Sequence, residues 1–247
     1  MKIMLDAGHG YSVDTGAEGN GLKEQDITYT LAQKVGEKLR NAGIEVMYTR
    51  NNITDNVGNT LSESINGRYI RANNWGADYF ISIHCNAFSD PSANGTETLI
   101  YAKGGKAEWL ALNVHTHLVQ LGLTDRGVKV RTDLGVLKNT KMPAILVETA
   151  FITNEKDSCY LTIFQDEVVD AIANGIFEFL GITVGKEDTM SKFNDISGHW
   201  AEKVINELSE MGIVNGDGNG NFRPNDNITR AEAATMVRNA VRYITGK

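Results

Sequence analysis

Two patterns in the sequence predict an α/β domain whose central mixed sheet is covered by helices on both faces, followed by a small helix–loop–helix module. Through residue 181, short β-branched or aromatic runs bounded by Gly, Asn or Asp alternate with longer stretches of helical period. Beyond that point the alternation stops. Residues 182–192, ITVGKEDTMSK, have no period and read as a linker, and a new unit opens at Phe193 and runs through residues 193–247. At 247 residues the chain is long enough for one substantial domain, residues 1–181, and one small one.

Five runs qualify as strands: KIMLD (2–6), EVMYT (45–49), YFISIH (79–84), TETLIYA (96–102) and AILVET (144–149). Between them, residues 25–41 place Ile27, Leu31, Val35 and Leu39 four apart, which makes one apolar stripe, and Gly43 follows as a C-terminal stop. Residues 62–75, 105–121 and 164–180 also read as helices. In the second unit, residues 199–211 and 229–244 read as helices around a loop rich in Gly, Asn and Asp. Thr229 followed by Glu232 is a capping box, with a hydroxyl at the N-cap and a carboxylate three residues on. A unit of ~55 residues buries little surface alone, so this one is expected to need a partner or further copies.

Composition narrows the function classes. Apolar residues make up 41% and charged residues 22%, which is ordinary for a globular chain and excludes disorder. No apolar stretch approaches the ~20 residues of a membrane helix. Lys2 is followed by only three apolar residues before Asp6, so no signal peptide is read, and the product is expected to be made in the cytoplasm and released by another agent. The net charge of −7, without a basic patch, argues against nucleic acid as a partner. Cys85 and Cys159 form no CxxC pair and are expected to be reduced, partly buried thiols.

Five histidines are available for chemistry. His9 stands between Gly8 and Gly10 at the tip of the first strand, and His84 ends the strand YFISI. Ligands in sheets of this class bind at the carboxyl ends of strands, so the two can converge. Glu148 ends a third strand, AILVE, and Glu24 opens the first long helix. Each has a simpler role as well. A strand-terminal His can serve as a hydrogen-bonded loop residue, and a carboxylate suits the first turn of a helix. Glu148 is harder to dismiss, because a carboxylate at the end of an apolar strand needs a partner. His115 and His117 lie two apart in a helical stretch and are expected at the surface, while His199, before Trp200, caps or packs. Cys85 follows His84 and should face the opposite side as a core thiol.

Four segments in order, LDAGHG, GLKEQD, ISIHCNA and AILVETAFITN, resemble the zinc-dependent N-acetylmuramoyl-L-alanine amidases of bacterial cell-wall turnover and phage lysis. The resemblance spans about residues 1–181 and implies that His9, Glu24 and His84 hold zinc (Zn2+) and that Glu148 is catalytic. Ala150 stands where many relatives carry Gly, a small departure. The implied substrate is peptidoglycan, cut at the lactyl amide of L-alanine. Asn86 and the LGVLKNT segment (134–140) with Lys138 are the substrate-side candidates, Lys138 reading equally as a solvated loop charge. A zinc peptidase acting on stem peptides and a non-catalytic wall binder are the alternatives.

The segments HWAE, GIVNG and ITRAE after residue 193 resemble a single S-layer homology repeat, a family in which three repeats together bind secondary cell-wall polymer. The resemblance implies Trp200, Arg230 and Glu232 as polymer contacts; their simpler roles are packing, a surface charge and the helix cap. One repeat cannot complete a threefold unit, so a homo-oligomer of three chains is expected. GKEDTM can be encoded with a ribosome-binding sequence ahead of Met190, which would yield a free binding module from the same gene. Together these readings describe a wall-targeted, phage-type endolysin.

Overall fold

In the computed structural model, which describes residues 1–183 and 191–245, the chain forms eight strands: β1 (Lys2–Ala7), the two-residue β2 (Glu18–Gly19) and β3 (Leu22–Lys23), then β4 (Glu45–Tyr48), β5 (Tyr79–Asn86), β6 (Thr96–Ile100), β7 (Asp125–Val130) and β8 (Ala144–Phe151). β2 and β3 pair only with each other, and the other six make one sheet in the order β4-β1-β5-β8-β6-β7. β4, β1, β5 and β8 run parallel, while β6 runs antiparallel to β8 and parallel to β7. The sheet is therefore mixed, as the sequence predicts. Its parallel half brings the carboxyl ends of β1, β5 and β8 to one edge.

Six helices accompany the sheet: α1 (Glu24–Asn41), α2 (Leu61–Trp75), α3 (Lys106–Gln120), α4 (Gly135–Lys138), α5 (Glu155–Tyr160) and α6 (Gln165–Leu180). Successive strand residues point to opposite faces, and both faces are buried. Ile3, Leu5, Ile81, Ile83, Ile145 and Val147 pack with Leu31, Val35 and Leu39 of α1, with Leu110, Val114 and Leu118 of α3, and with Val168, Ile172 and Ile176 of α6. Met4, Phe80, Leu99 and Leu146 pack on the other side with Ala72 of α2 and with Val136 and Leu137 of α4. Each fully buried side chain of this kind stabilises by roughly 1.5–3 kcal/mol, so the two cores hold the sheet from both faces. Gly175 lets α6 approach α3: a Cβ there would lie 2.5 Å from the Val114 Cα.

The helix ends follow local chemistry. α1 has no side-chain cap at Lys23, but Glu24 and Asp26 in its first turn and Lys38 and Arg40 in its last complement the helix dipole. α2 starts at Thr60, whose hydroxyl accepts from the Glu63 N–H, and stops at Gly76 in the left-handed region. Asn154 caps α5 by accepting from the Lys156 and Asp157 N–H groups.

Several elements differ from expectation. β7 is an edge strand with mainly exposed residues and Gly127 at φ 82°, so DRGVKV carries no apolar run to announce it. The LGVLKNT segment contains α4, because Val136 and Leu137 reach into the second core. β6 ends at Ile100, two residues short of the predicted Ala102. His115 is buried and not at the surface: α3 packs against both α6 and the β6–β7 edge, and His115 Nε2 meets Asp125 Oδ1 at 2.8 Å. His117 is partly exposed and pairs with Glu178. Cys85 is buried, Cys159 is half-buried, and both are free thiols.

Residues Met1–Val184 and Gly185–Lys247 form two compact units. The second contains α7 (Glu202–Glu210) and α8 (Arg230–Thr245). Its core is small: Phe193, Ile196 and Ile205, with Ala201 and Phe222 packed against them. α7 begins three residues later than predicted, because residues 199–201 form a turn in which the Glu202 N–H bonds the His199 carbonyl. The Thr229–Glu232 capping box forms reciprocally, with N···O distances of 2.8 and 3.2 Å. α8 has no buried residue, and Val237, Val241 and Ile244 stand exposed on it. Met190 and most of the expected linker lie outside the described residues. Among the described residues, no helix is long and apolar enough to cross a membrane.

Candidate metal centre

The carboxyl edge of the parallel strands gathers the residues that the sequence singles out. β1 leads through Gly8 to His9, β5 carries His84 near its end, β8 carries Glu148, and α1 opens with Glu24. His9 Nε2 and His84 Nδ1 each lie 3.1 Å from Glu24 Oε1, and they lie 3.1 Å from each other. The rings meet edge to face, with centroids 4.7 Å apart. Four-coordinate zinc with bonds of ~2.0–2.1 Å places neighbouring ligand atoms about 3.3 Å apart. Two imidazole nitrogens and one carboxylate oxygen at this spacing fit a three-ligand zinc site with one position left open. Among the described residues, no other group of three His, Cys, Asp or Glu converges in this way.

Each ligand is held by its surroundings. Glu24 is buried; its Oε1 accepts from the Cys85 N–H at 3.0 Å and its Oε2 from the Ala17 N–H at 2.8 Å. Burial pushes its carboxyl up, but the bonds and charges of His84 and His9 outweigh this and hold it well below the usual range. His9 Nδ1 lies 2.7 Å from Asp14 Oδ1. A proton at Nδ1, where Asp14 accepts it, leaves the Nε2 lone pair facing Glu24 and His84. Burial lowers the pKa of His9, but Asp14 and Glu24 overcome that and raise it to about 9. A metal ion at Nε2 would compete with this added proton. His84 needs the close approach of Gly8: a Cβ at Gly8 would sit 2.5–2.7 Å from the His84 ring.

Beneath the site lies a buried ion pair. Asp6 is fully buried; its Oδ1 accepts from Arg68 Nη1 and from Thr49 Oγ1, both at 2.6 Å, and its Oδ2 from Ser82 Oγ at 2.6 Å. Burial pushes the Asp6 carboxyl up, but the Arg68 charge and the two hydroxyls outweigh it and hold it below its ordinary 3.8.

Glu148 stands beside His84 in the parallel β5–β8 register and opposite Glu97 in the antiparallel β6–β8 register. Its Oε2 is buried without a hydrogen-bond partner. Burial pushes its pKa up to about 7; the charges of Glu24 and Glu97 add to the rise and those of His84 and His9 oppose it. A carboxylate poised near neutral pH beside a metal-fitting triangle can take and return a proton.

The other candidates are placed differently. Asn86 ends β5 at a bulge, half-exposed, with its Oδ1 accepting from the Ala87 N–H. Lys138 is exposed at the end of α4, and nothing in the structure draws it to the cluster. Trp200 is 49% exposed, with its ring against His199, so it does not pack into the core of its unit. Arg230 is exposed at the start of α8, and Glu232 serves the cap. Asp14, Ser64, Arg68 and Glu97 support the site and were not singled out from sequence. Ser64, Arg68 and Ala72 are the buried positions of α2, spaced four apart, a stripe that a search for apolar periodicity passes over.

Comparison with known proteins identifies relatives of both units. A family model described as N-acetylmuramoyl-L-alanine amidase matches residues 3–178, and one described as S-layer homology domain matches residues 192–234. The chain is 37% identical over 182 residues to the N-acetylmuramoyl-L-alanine amidase LytC of Bacillus subtilis, covering 72% of this chain and 35% of LytC, so it spans about a third of that protein. It is 36% identical over 213 residues to the endolysin of Bacillus phage SPP1, covering 82% of this chain and 74% of the endolysin. Among solved structures, the catalytic domain of CwlV, an N-acetylmuramoyl-L-alanine amidase from Bacillus (Paenibacillus) polymyxa var. colistinus, matches with a TM-score of 0.64 and 33% identity, over 74% of this chain and 99% of that one.

The buried pair predicts a pH signature. Because the folded-state pKa of Asp6 is depressed, its stabilisation is fully present above pH 3.8 and is lost as the pH falls through the lower folded value. Asp6→Asn is expected to lower stability near neutral pH by about 3–5 kcal/mol, since it strands the Arg68 charge. Urea unfolding across the acid range should show the gap to wild type narrowing only below 3.8. A gap already closed at about pH 6 contradicts the assignment.

Proposed function

The chain belongs to the N-acetylmuramoyl-L-alanine amidase family, and from that premise we propose that its first unit is a zinc enzyme in which His9, Glu24 and His84 hold the metal and Glu148 moves the proton. The bond cut is the amide between the lactyl group of N-acetylmuramic acid and the L-alanine of the stem peptide. The observation that carries this reading is the 3.1 Å triangle of donor atoms beside a buried carboxylate with one unpartnered oxygen.

Zinc bound there supplies a Lewis acid that polarises the scissile carbonyl and acidifies water. Glu148 accepts the proton of the attacking water and returns it to the alanine nitrogen, which then leaves as a neutral amine. The raised pKa of about 7 lets one carboxyl serve both transfers near neutral pH. Gly8 and the His9 loop keep the two rings close enough to share one ion. Asn86, two residues past His84, and Lys138 are the proposed contacts to the muropeptide.

The second unit carries the S-layer homology match, which implies association with the cell wall. Trp200, Arg230 and Glu232 are its proposed contacts to a secondary cell-wall polymer. The small core and the exposed Val237, Val241 and Ile244 of α8 support assembly with further copies, three chains per unit. An additional module starting at Met190 could join such an assembly and raise wall affinity through multivalency. The similarity to a phage endolysin supports action at the wall during lysis.

Glu148→Ala is expected to retain zinc and lose hydrolysis by ~10²-fold or more, whereas His84→Ala loses both. Metal analysis and mass spectrometry of digested muropeptides check this. Free lactyl groups with new L-alanine amino termini identify the amidase. Cuts inside the stem identify a peptidase, no products identify a binder, and Glu148→Ala turnover at the wild-type rate removes the assigned base. Native mass spectrometry of the product of the natural gene is expected to show trimers containing full-length chains and chains beginning at Met190. A full-length monomer alone contradicts the assembly.

A further inference from the structure

We propose that Asp14, Ser64 and Arg68 are positioning residues that set the metal affinity of the site by fixing both the backbone and the ring of His9. This rests on the metal reading above and concerns residues that bind no metal themselves.

His9 is one of only three residues other than glycine with positive φ among the described residues, at 63°. Such a conformation is sterically strained for an L-residue and persists only where its surroundings enforce it. The enforcement comes from α2. The Arg68 side chain is 3% exposed, and its guanidinium spans the turn. Nη1 donates to Asp6 Oδ1 at 2.6 Å and to the Ala7 carbonyl at 2.7 Å, and Nη2 donates to the His9 carbonyl. One rigid fork thus ties residues 6, 7 and 9 together. The anchoring carboxylate of Asp6 is itself held by Thr49 and Ser82.

Ser64 lies one helical turn before Arg68 on the same buried stripe. Its hydroxyl donates to Asp14 Oδ2 at 3.2 Å, and Asp14 Oδ1 accepts from His9 Nδ1 at 2.7 Å. The ring of His9 therefore cannot swing away without breaking the Asp14 bond, and its backbone cannot relax without breaking the Arg68 fork. Both constraints issue from one face of one helix. Lysine at position 68 could keep the charge opposite Asp6, but a single ammonium lacks the planar fork that reaches both carbonyls.

The test compares wild type with Arg68→Lys, Asp14→Ala and Ser64→Ala. Zinc affinity is measured by competition with a chelator, the visible spectrum is recorded with cobalt as the bound ion, and thermal unfolding is followed without metal. Zinc binding is expected to weaken about 10–100-fold in Arg68→Lys and Asp14→Ala, with an altered cobalt spectrum, and by a smaller factor in Ser64→Ala. A purely structural role would lower the melting temperature and leave affinity and spectrum unchanged, and that result overturns the inference. Should Arg68→Lys fail to fold, unchanged affinity in the other two variants overturns it equally. A wild-type chain that binds neither zinc nor cobalt overturns the metal reading itself, and this inference with it.

Discussion

The ion pair of Asp6 and Arg68 is the constraint on which the arrangement depends. It lies buried below the carboxyl edge of the sheet, with Arg68 3% and Asp6 0% exposed. A buried pair of this kind adds little net stability compared with packed apolar side chains, because desolvation offsets most of the attraction. Its value here is geometric. Asp6 Oδ1, the Ala7 carbonyl and the His9 carbonyl, all on β1 or the turn that follows, accept from Arg68, so the pair ties that turn to α2. The strands could pair without it; the first histidine would have no fixed address.

From that address the rest of the site follows by topology. Parallel β1, β5 and β8 end at the same edge, so residues separated by as many as 139 positions, His9 and Glu148, share one small volume. The antiparallel β6 then brings Glu97 opposite Glu148. Two carboxylates near each other, one of them screened by Arg126 and Lys129, help keep the other near neutral pH. The proposed amidase chemistry would need a base that is neither permanently charged nor permanently protonated, and buried Glu148, with its pKa raised to about 7, fits that need.

Much of this was legible in the sequence because apolar runs and caps are local signals. The parallel strands appear as continuous apolar segments, the α1 stripe as a four-residue period, and the α8 cap as Thr229 and Glu232 three apart. The ligand candidates were visible because glycine-flanked and strand-terminal histidines are few in a chain with five. What stayed hidden depends on tertiary neighbours. β7 has an edge strand's polar face, and α4 is a single turn whose reason is the second core. His115 reads as a surface residue in the sequence, because its burial depends on α3 packing against α6 and the β6–β7 edge with Asp125 in reach. Ser64 and Arg68 occupy core-facing positions with polar groups, and Asp14 sits in a loop whose path no periodicity describes.

The two units divide the labour. The first holds a deep core and a fixed site; the second has a small core and an exposed apolar helix face, which suits a module that works in company. The central claim is that residues remote in sequence share one zinc ion. Crystals of the full chain, with diffraction recorded on both sides of the zinc absorption edge, test it most directly. The account predicts one anomalous peak per chain within bonding distance of His9 Nε2, Glu24 Oε1 and His84 Nδ1. Catalytically active crystals with no peak there, or with the ion bound elsewhere, would contradict it.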